Sequence, residues 1–362
     1  MESISNTPST SNILINSITG LLLVIAIAFI IAAIPSATNY QWIVFFFLAA
    51  TPFQAIVGIL WQNNLPFIKG LDKIHQTTKG IILVIFTMLF GLLIGGLTLL
   101  IMGKGTGILT PQLNHFLITS IIITLWLIII VNFWPFIGKI KNITIVGFCT
   151  LILAFGIAFI VWKIFFNYES ISNLVPWYVE SLDPKGVFDF STTIVYIITC
   201  CPVLLYLALF DDWFLEKWSG AIQPGKAILN TNIILGISYI FQFFFTKVIG
   251  MDVMVYMVMV PISMVFGVFL VNNSTQFFLF KNIRQPLKGI YKMIAATIFG
   301  LSMYVLYFNM GAWITGQEMA SGANGNYQLD LWVADTMLGI SFPLIIVITG
   351  YFNYWPLKSK IK

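Results

Sequence analysis

The sequence predicts an all-α fold: a polytopic transmembrane helical bundle of about ten spans, built from parallel two-helix hairpin repeats. First, 59% of the 362 residues are hydrophobic and only 9% are charged, whereas soluble proteins carry roughly 25% charged residues. Second, the apolar runs lack the period-two alternation that membrane barrels need, so helices are the expected element. Third, the short loops on one side of these runs repeat similar motifs.

Ten apolar runs are long enough to cross a bilayer, which takes about 20 residues of helix. They form a single transmembrane domain over residues 13–357, with outer loops at 167–189 and 309–330. We expect residues 1–12 to be a disordered cytoplasmic leader and residues 358–362 to be a basic cytoplasmic tail. The first run lacks the basic segment of a secretory signal, so we interpret it as a retained span. The predicted spans lie near residues 13–34, 41–60, 80–102, 116–133, 143–166, 190–210, 228–249, 251–271, 289–308 and 331–351.

The basic residues predict the orientation of the chain, because cytoplasmic loops carry the excess of lysine and arginine. Most of the 18 basic residues flank the loops that follow the even-numbered spans. This places both termini in the cytoplasm and predicts a multi-pass protein of the cell membrane, with a bacterial cytoplasmic membrane as the expected location. The residues on or near the other side are Lys104, Lys163, Lys185 and Lys247.

A short motif recurs in the loops after spans two, four and ten. It joins an amide to a proline through leucine or an aromatic residue, and tryptophan is typical of the headgroup region. We interpret the motif as structural punctuation, a turn with an interfacial anchor that is copied with each hairpin. A second motif, Gln-Pro followed by a lysine, opens spans seven and nine. The residues of the first motif are Asn63 and Pro66; Asn132, Trp134 and Pro135; and Asn353, Trp355 and Pro356.

The first helices of the hairpins, except span four, share a further feature, a proline inside the span (Pro52, Pro202, Pro261 and Pro343). Span ten has this signature but no partner after it, and span one has no partner before it. We therefore expect spans one and ten to pair in space as a fifth hairpin. All five hairpins would then share one orientation, as in the parallel class of transporter repeats. The alternative is that span one packs on the outside of the bundle.

Asp335 is the candidate site residue that stands out most, because an acid at membrane depth is costly and usually faces a cavity or a partner. It precedes Pro343 by eight residues in the outer third of span ten. One interpretation is a proton or cation site. The other is that span ten begins later, which would leave Asp335 at the wet interface beside Asp330.

Two adjacent acids, Asp211 and Asp212, close the cytoplasmic end of span six. Paired carboxylates can bind a divalent cation or share a proton. They can equally form a solvated cluster of ion pairs with Lys217 and Lys226 of the same loop. The sequence leaves both interpretations open.

Amide side chains occur inside several spans, including Gln54, Asn232 and Gln242. Together with Asp335 they are candidates for lining a central cavity, since polar groups within a bundle mark solute paths. They could also form ordinary hydrogen bonds between helices. Sequence alone does not show which way they face.

Several functional classes find no support in the chain. It has one arginine, Arg284, and no basic stripe for nucleic acid. Its three cysteines lie in apolar runs, and its histidines, His75 and His115, fall on opposite sides of the membrane, so no metal or other cofactor is predicted. No nucleophile motif or nucleotide-binding loop occurs, which favours a protein that is not an enzyme.

The function predicted from these features is transport: a permease for a small solute, driven by an ion gradient. The expected partners are the lipid bilayer and the solute, with other membrane or cytoplasmic subunits as a further option. One alternative is a cofactor-free membrane subunit of a larger respiratory or enzymatic complex, which would dock soluble partners through the repeated loops. A third is a lipid-handling membrane protein that uses Asp211 and Asp212.

Overall fold

The fold is known from a computed structural model, which describes residues 10–34, 37–171, 178–211, 223–274, 280 and 282–355. Most of the predicted leader, the tail at 358–362, Asp212 and Pro356 lie outside the described residues. Within those residues, ten helices are long and apolar enough to cross a membrane. The prediction of a helical bundle with ten spans is thereby confirmed.

Six of the ten helices are α-helical throughout, and the other four contain wider, π-helical turns. The regular helices are α1 (Thr10–Ala32), α3 (Gln76–Ile101), α4 (Pro111–Ile129), α5 (Ile143–Phe165), α6 (Phe190–Leu209) and α9 (Leu287–Thr315). The others are α2 (Ala37–Ala55, then π-helical Ile56–Leu60), α7 (Gly225–Phe243, then π-helical Phe244–Val248), α8 (Val253–Met257 and Ser263–Phe269, with π-helical Val258–Ile262 and Leu270–Ser274) and α10 (Gln328–Ala334 and Phe342–Ile346, with π-helical Asp335–Ser341 and Val347–Tyr351).

These boundaries differ from the predicted ones by a few residues. The largest difference is at the end of α9, which continues to Thr315 and shortens the predicted outer loop 309–330 to the stretch before Gln328. In the other outer loop, two-residue strands β1 (Phe166–Asn167) and β2 (Phe188–Asp189) pair in parallel. The loop is therefore held closed at its base.

Proline accompanies part of the π-helical character. A proline inside a helix lacks the N–H for one hydrogen bond, and its ring clashes with the preceding turn. Pro261 lies within a π-helical turn of α8, and Pro343 lies two residues beyond the π-helical segment Asp335–Ser341 of α10. A wider turn relieves this clash and leaves backbone carbonyls open to other donors.

Burial separates the helices into two classes. In the even-numbered helices 61% to 72% of the span residues are buried, against 22% to 33% in the odd-numbered helices. The even helices contact one another in the closed order α2, α4, α6, α8, α10 and back to α2. They form an inner ring, and the odd helices pack outside it with a large apolar surface turned outward.

Glycines allow the closest helix contacts, because the absence of a side chain lets two backbones approach. Between α8 and α9 the contact is backbone to backbone: a Cβ on Gly267 would overlap the carbonyl of Ala296, and one on Gly300 would overlap that of Ser263. Between α2 and α3 a Cβ on Gly91 would lie 2.8 Å from the carbonyl oxygen of Phe46. The outer helices α9 and α3 are thus fitted closely against the inner helices α8 and α2.

The first and last helices are neighbours. Helix α1 packs along α10 and also contacts α8 and α9. A Cβ on Gly20 of α1 would lie 3.0 Å from the ring of Tyr354, which follows α10. Spans one and ten are therefore in direct contact, and α1 lies in the outer layer of the bundle.

Two ends of the bundle can be distinguished by their connections. The even-numbered helices finish at one end, from which α3, α5, α7 and α9 begin; we call this the turn end. Loops at the opposite end contact one another: Lys104 Nζ donates to the carbonyl of Ser181, and Tyr327 Oη donates to Asp252 at 2.9 Å. We call this the loop end.

Candidate functional site

Asp335 lies inside the bundle, at the point where α10 changes from α-helix to π-helix. It follows the first residue of the helix by seven positions, or about 10 Å at 1.5 Å per residue. The side chain is half-buried, and within the described part of the chain no group donates a hydrogen bond to its carboxylate. The acid therefore lies below the loop end, and no described residue donates a hydrogen bond to it.

Asp330, in contrast, is an acid whose carboxylate has hydrogen-bond donors. It is fully buried, and it accepts hydrogen bonds from the hydroxyl of Ser321 at 2.9 Å and from the backbone N–H of Gly322 at 2.7 Å. Asp330 thus anchors the loop before α10. Asp335, one and a half turns deeper, has no comparable set of donors.

Buried hydroxyl groups lie beside Asp335 and along the π-helical segment that it begins. Tyr40 of α2 lies within electrostatic range of the carboxylate, and its hydroxyl is 2.8 Å from that of Thr336. Further along α10, the hydroxyl of Ser341 is 2.7 Å from that of Tyr307 on α9. Three helices therefore supply hydroxyls to one polar region of the interior.

The π-helical turn is what makes this region polar. The hydroxyl of Thr336 donates to the carbonyl of Trp332 at 2.7 Å, and that of Ser341 donates to the carbonyl of Thr336 at 2.8 Å. Hydroxyls can pass a proton along or turn their oxygens towards a cation. An acid beside such a set has the chemistry of a proton or small-cation site.

Gln54 is buried on α2, but it faces a different space. It lines an apolar cavity of about 80 Å³ with Thr87 of α3 and Pro343 and Val347 of α10, and its Oε1 atom has no hydrogen-bond partner. Pro343 is eight residues beyond Asp335, or about 12 Å along the helix. Gln54 therefore lies beside α10 at a different depth from Asp335.

The two predicted residues of α7 do not join Asp335 either. Asn232 is exposed on the outer surface and donates to the carbonyl of Ile228 in its own helix at 2.9 Å. The prediction that Asn232 lines a central cavity is therefore corrected. The face of α7 that packs inward carries Ser238 and Gln242 instead. Gln242 is buried in the outer layer, away from the ring interior that Asp335 reaches.

Asp211, at the turn end of α6, belongs to an interhelical cluster. Its Oδ2 atom accepts from Lys288 Nζ at 2.8 Å and from Gln285 Nε2 at 2.9 Å, both at the start of α9. Partial burial alone would raise the Asp211 pKa, but these hydrogen bonds and the charges of Lys288 and Lys292 hold it below its ordinary value. No group of three or more potential metal ligands occurs among the described residues.

The motif residues form closely similar turns. After α2, α4 and α10, two successive residues adopt positive φ, a conformation that favours asparagine among non-glycine residues. The second of them donates its N–H six residues back, to the last turn of the helix. These bonds join Asn63 to Val57 (2.8 Å), Phe133 to Leu127 (2.9 Å) and Tyr354 to Ile348 (3.0 Å).

This geometry corrects the alignment drawn from sequence. Gln62, Asn132 and Asn353 occupy the same position in the three turns, with φ of 52°, 51° and 47°. Asn63 therefore corresponds to Phe133, and Pro66 falls one residue later than Pro135. The motifs were aligned one residue out of register because three polar residues, Gln62, Asn63 and Asn64, are adjacent in the first turn and either alignment was possible.

Three glutamines that sequence analysis did not single out connect neighbouring units at the turn end. Each opens an odd helix and donates its Nε2 to the last carbonyl of an inner helix. The bonds run from Gln76 to Tyr351 (2.6 Å), Gln223 to Ile130 (3.2 Å) and Gln285 to Leu209 (2.9 Å). The sequence feature that could have identified these glutamines is their fixed position, three residues before Lys79, Lys226 and Lys288.

A glycine follows two of these glutamines, Gln76 and Gln285, by four positions, and an aromatic ring packs against each glycine. A Cβ on Gly80 would lie 2.7 Å from Phe352, and one on Gly289 would lie 2.6 Å from Phe210. The same contact recurs without the glutamine between Gly147 and Trp61, at 2.6 Å. The same contact between a glycine and an aromatic ring therefore recurs at three places at the turn end.

No protein-family model, no curated protein and no solved structure matches this chain. The chemistry of the site therefore rests on its own residues: an acid to which no described residue donates a hydrogen bond, a π-helical turn, and the hydroxyls of Tyr40, Thr336, Ser341 and Tyr307.

Proposed function

We propose that the protein is a membrane transporter for a small solute and that Asp335 carries the coupling ion, a proton. The observation behind this proposal is the position of that carboxyl: within a span, at a π-helical turn, and without a hydrogen-bond donor among the described residues. An ionisable group at membrane depth is energetically costly, and such groups usually have a function or a charged or polar partner. The hydroxyls of Tyr40 and Thr336 offer a route by which a proton could reach it.

The architecture supports a transporter of the parallel-repeat class. We infer five copies of a two-helix unit with one orientation, made of α2–α3, α4–α5, α6–α7, α8–α9 and α10–α1. The alternation of buried and exposed helices, the contact of α1 with α10 and the recurrence of the turn and glutamine contacts all support this arrangement. Such repeats place binding sites near the bilayer midplane, between units that can move against one another.

The orientation remains a proposal based on charge. Lysines Lys79, Lys226 and Lys288 lie at the turn end, so we assign this end to the cytoplasm of a cell membrane by the positive-inside rule. Asp335 is then closer to the outer face. A proton would enter from the loop end and leave towards the turn end.

Proton flux in reconstituted vesicles tests the proposal. Purified protein is placed in vesicles that contain a pH-sensitive dye, and amino acids, sugars and small organic acids are added one at a time under an imposed pH gradient. We expect at least one solute to accelerate proton uptake over protein-free vesicles. Asp335→Asn should abolish the acceleration, whereas Asp335→Glu should retain part of it.

The matched control is Glu318→Gln, which removes an exposed carboxylate from the loop end. It should leave the flux unchanged. Equal flux in wild type and Asp335→Asn would remove Asp335 from the mechanism. A wild-type protein that is folded, binds a stoichiometric partner on purification and moves no proton with any solute would instead favour a subunit of a larger complex.

A further inference from the structure

The apolar cavity beside Gln54, which we call the Gln54 cavity, lies where α2, α3 and α10 meet. It has a volume of about 80 Å³. Met88 lines it and is 45% exposed on the outer helix α3, so the cavity reaches the surface that faces lipid. Molecules dissolved in the bilayer can therefore approach it. Its lining includes Gln54 of α2, Val84, Thr87 and Met88 of α3, and Pro343 and Val347 of α10.

One side-chain oxygen in this cavity has no partner. Gln54 is only 3% exposed, and its Oε1 atom makes no hydrogen bond. Thr87 is the other residue of the lining with a polar side chain, and its hydroxyl lies 2.9 Å from that of Tyr351. Buried polar atoms are nearly always satisfied, so the Gln54 acceptor requires a donor from outside the lining.

The unpaired amide is not a general feature of the inner helices. The corresponding residues of α2, α4 and α10, each three positions before the carbonyl that accepts the six-residue turn bond, are Gln54, Thr124 and Ile345. Thr124 satisfies its hydroxyl within its own helix, by donating to the carbonyl of Ser120 at 2.7 Å. Ile345 has no polar atom in its side chain. Among these three helices, the unsatisfied group is therefore specific to α2.

The depth of Gln54 limits the chemistry of the donor. The residue lies six positions before Leu60, the last of α2, or about 9 Å along the helix. The span of 22 residues is about 33 Å long, close to the thickness of a hydrocarbon layer. Gln54 is therefore below the headgroup level. A charged group is costly there, so the donor should be neutral.

Water and a plain acyl chain both fit poorly. A buried water needs two to four polar partners, and the lining offers one unsatisfied side-chain atom. An acyl chain has no donor for Oε1. An apolar cavity that binds benzene has about 150 Å³, so this smaller one suits the end of a chain better than a ring.

We propose that the Gln54 cavity binds the hydroxyl end of a long-chain alcohol from the bilayer. The hydroxyl donates to Gln54 Oε1, and the methylene groups next to it contact Val84, Met88 and Val347. A hydroxyl can also accept from the N–H group of the same amide, so it complements the amide in either orientation. The remainder of the chain extends into the lipid. The site is independent of Asp335 and of the transport that we propose for it.

Photolabelling of the full chain in phosphatidylcholine vesicles tests the proposal. The probe is dodecanol with a diazirine group close to its hydroxyl, and mass spectrometry locates the labelled residues. Unlabelled 1-dodecanol and 1-methoxydodecane serve as competitors. The ether has the same apolar chain and can accept a hydrogen bond but cannot donate one.

We expect the label on residues that line the cavity, such as Val84, Met88 and Val347. The alcohol should compete about tenfold more effectively than the ether, as expected for one hydrogen bond in an apolar site. Gln54→Met keeps the length of the side chain and removes its polar atoms, so the two competitors should become equal. Val84→Phe should abolish the labelling by filling the cavity.

The matched controls make the same replacements elsewhere: Gln242→Met in α7, and Val305→Phe at a valine of α9 that is 54% exposed. Both should behave like the wild type. Circular dichroism verifies folding, and Val84→Phe keeps the test valid if Gln54→Met does not fold. The proposal is overturned if the wild type is not labelled at the cavity or if alcohol and ether compete equally, as for an acyl chain. A preference for the alcohol that persists in Gln54→Met also overturns it.

Discussion

The phenol of Tyr40 lies 2.8 Å from the hydroxyl of Thr336 and links α2 to α10 beside Asp335. Both residues are buried, and the same phenol lies 3.5 Å from the carbonyl of Trp332. This bond joins two helices of the inner ring in front of the π-helical turn. It therefore sets the position of the turn on which the proposed proton site depends.

We expect Tyr40→Phe to destabilise the protein by about 1 kcal/mol, because one buried hydrogen bond is lost while the ring is kept. Thr336→Val should have a similar effect. A double-mutant cycle measured by chemical unfolding in detergent should give a coupling close to the single effects, since the two hydroxyls bond each other. Strictly additive losses would show that the bond does not contribute.

Close packing of α8 on α9 gives a second prediction. Gly267→Ala or Gly300→Ala should destabilise by about 1–3 kcal/mol, because the added methyl group overlaps a backbone carbonyl that cannot move aside freely. Gly236→Ala is the matched control, since no atom lies within 4 Å of the added carbon. Thermal unfolding should separate the first two variants from the third, and three equal midpoints would contradict the packing.

The interhelical glutamines should differ in how much they contribute to the free energy of unfolding. Gln285 donates to both Leu209 and Asp211 and accepts from the backbone of Gly289 at 3.0 Å, whereas Gln76 bonds Tyr351. Replacement by methionine keeps the length of the side chain but removes its polar atoms. We expect Gln285→Met to lose roughly 2 kcal/mol more stability than Gln76→Met, because Gln285 makes two more hydrogen bonds at about 1 kcal/mol each. Chemical unfolding measures both, and the reverse order would argue against the bridging role of Gln285.

Asp211 gives a prediction for pH. Its pKa in the folded protein lies below the ordinary value of 3.8, because the hydrogen bonds from Lys288 and Gln285 outweigh the effect of partial burial. The stability it provides is therefore present above pH 3.8 and is lost as the pH falls through the lower, folded-state pKa. Asp211 is 58% exposed, so solvent screening keeps this contribution below about 1 kcal/mol.

Unfolding midpoints measured between pH 7 and pH 2.5 should show this loss in the wild type. Asp211→Asn should reduce the acid sensitivity while lowering stability slightly at pH 7. Glu180→Gln, which breaks an exposed ion pair with Lys185 at the loop end, serves as the comparison. An acid response that is the same in all three proteins would exclude Asp211 as its source.

The turns predict a preference for particular residues. Asn353 has a φ of 47°, which asparagine and glycine tolerate better than a β-branched residue. Asn353→Gly should leave stability nearly unchanged, whereas Asn353→Val should cost roughly 1–2 kcal/mol. Thermal unfolding of the two variants tests the turn geometry directly.

The sequence predicted the helical class and the ten spans because hydropathy and length alone decide them. It could not separate the inner from the outer helices, because helices that face lipid are as apolar as helices that face the core. Asn232 and Gln242 illustrate the limit: both are amides in α7, yet one points outward and the other is buried. Only the packing of α7 on α6 distinguishes them.

The candidate site was predicted in part. Asp335 was identified from its charge alone, which is conspicuous in an apolar span. Its neighbours Tyr40 and Tyr307 were not, because they come from distant helices and a lone tyrosine has no distinctive pattern. The one-residue error at Asn63 arose because neighbouring polar residues offered two registers, and only the backbone bonds could choose between them.

The contact of α1 with α10 has a consequence for biosynthesis. Helix α1 is synthesised before the other nine helices, yet it packs on α8, α9 and α10. During translation α1 therefore lacks these neighbours until α8, α9 and α10 have been made. The ring cannot close before α10 is present, and a chain stopped before α10 would leave a gap with Tyr40 exposed at its edge.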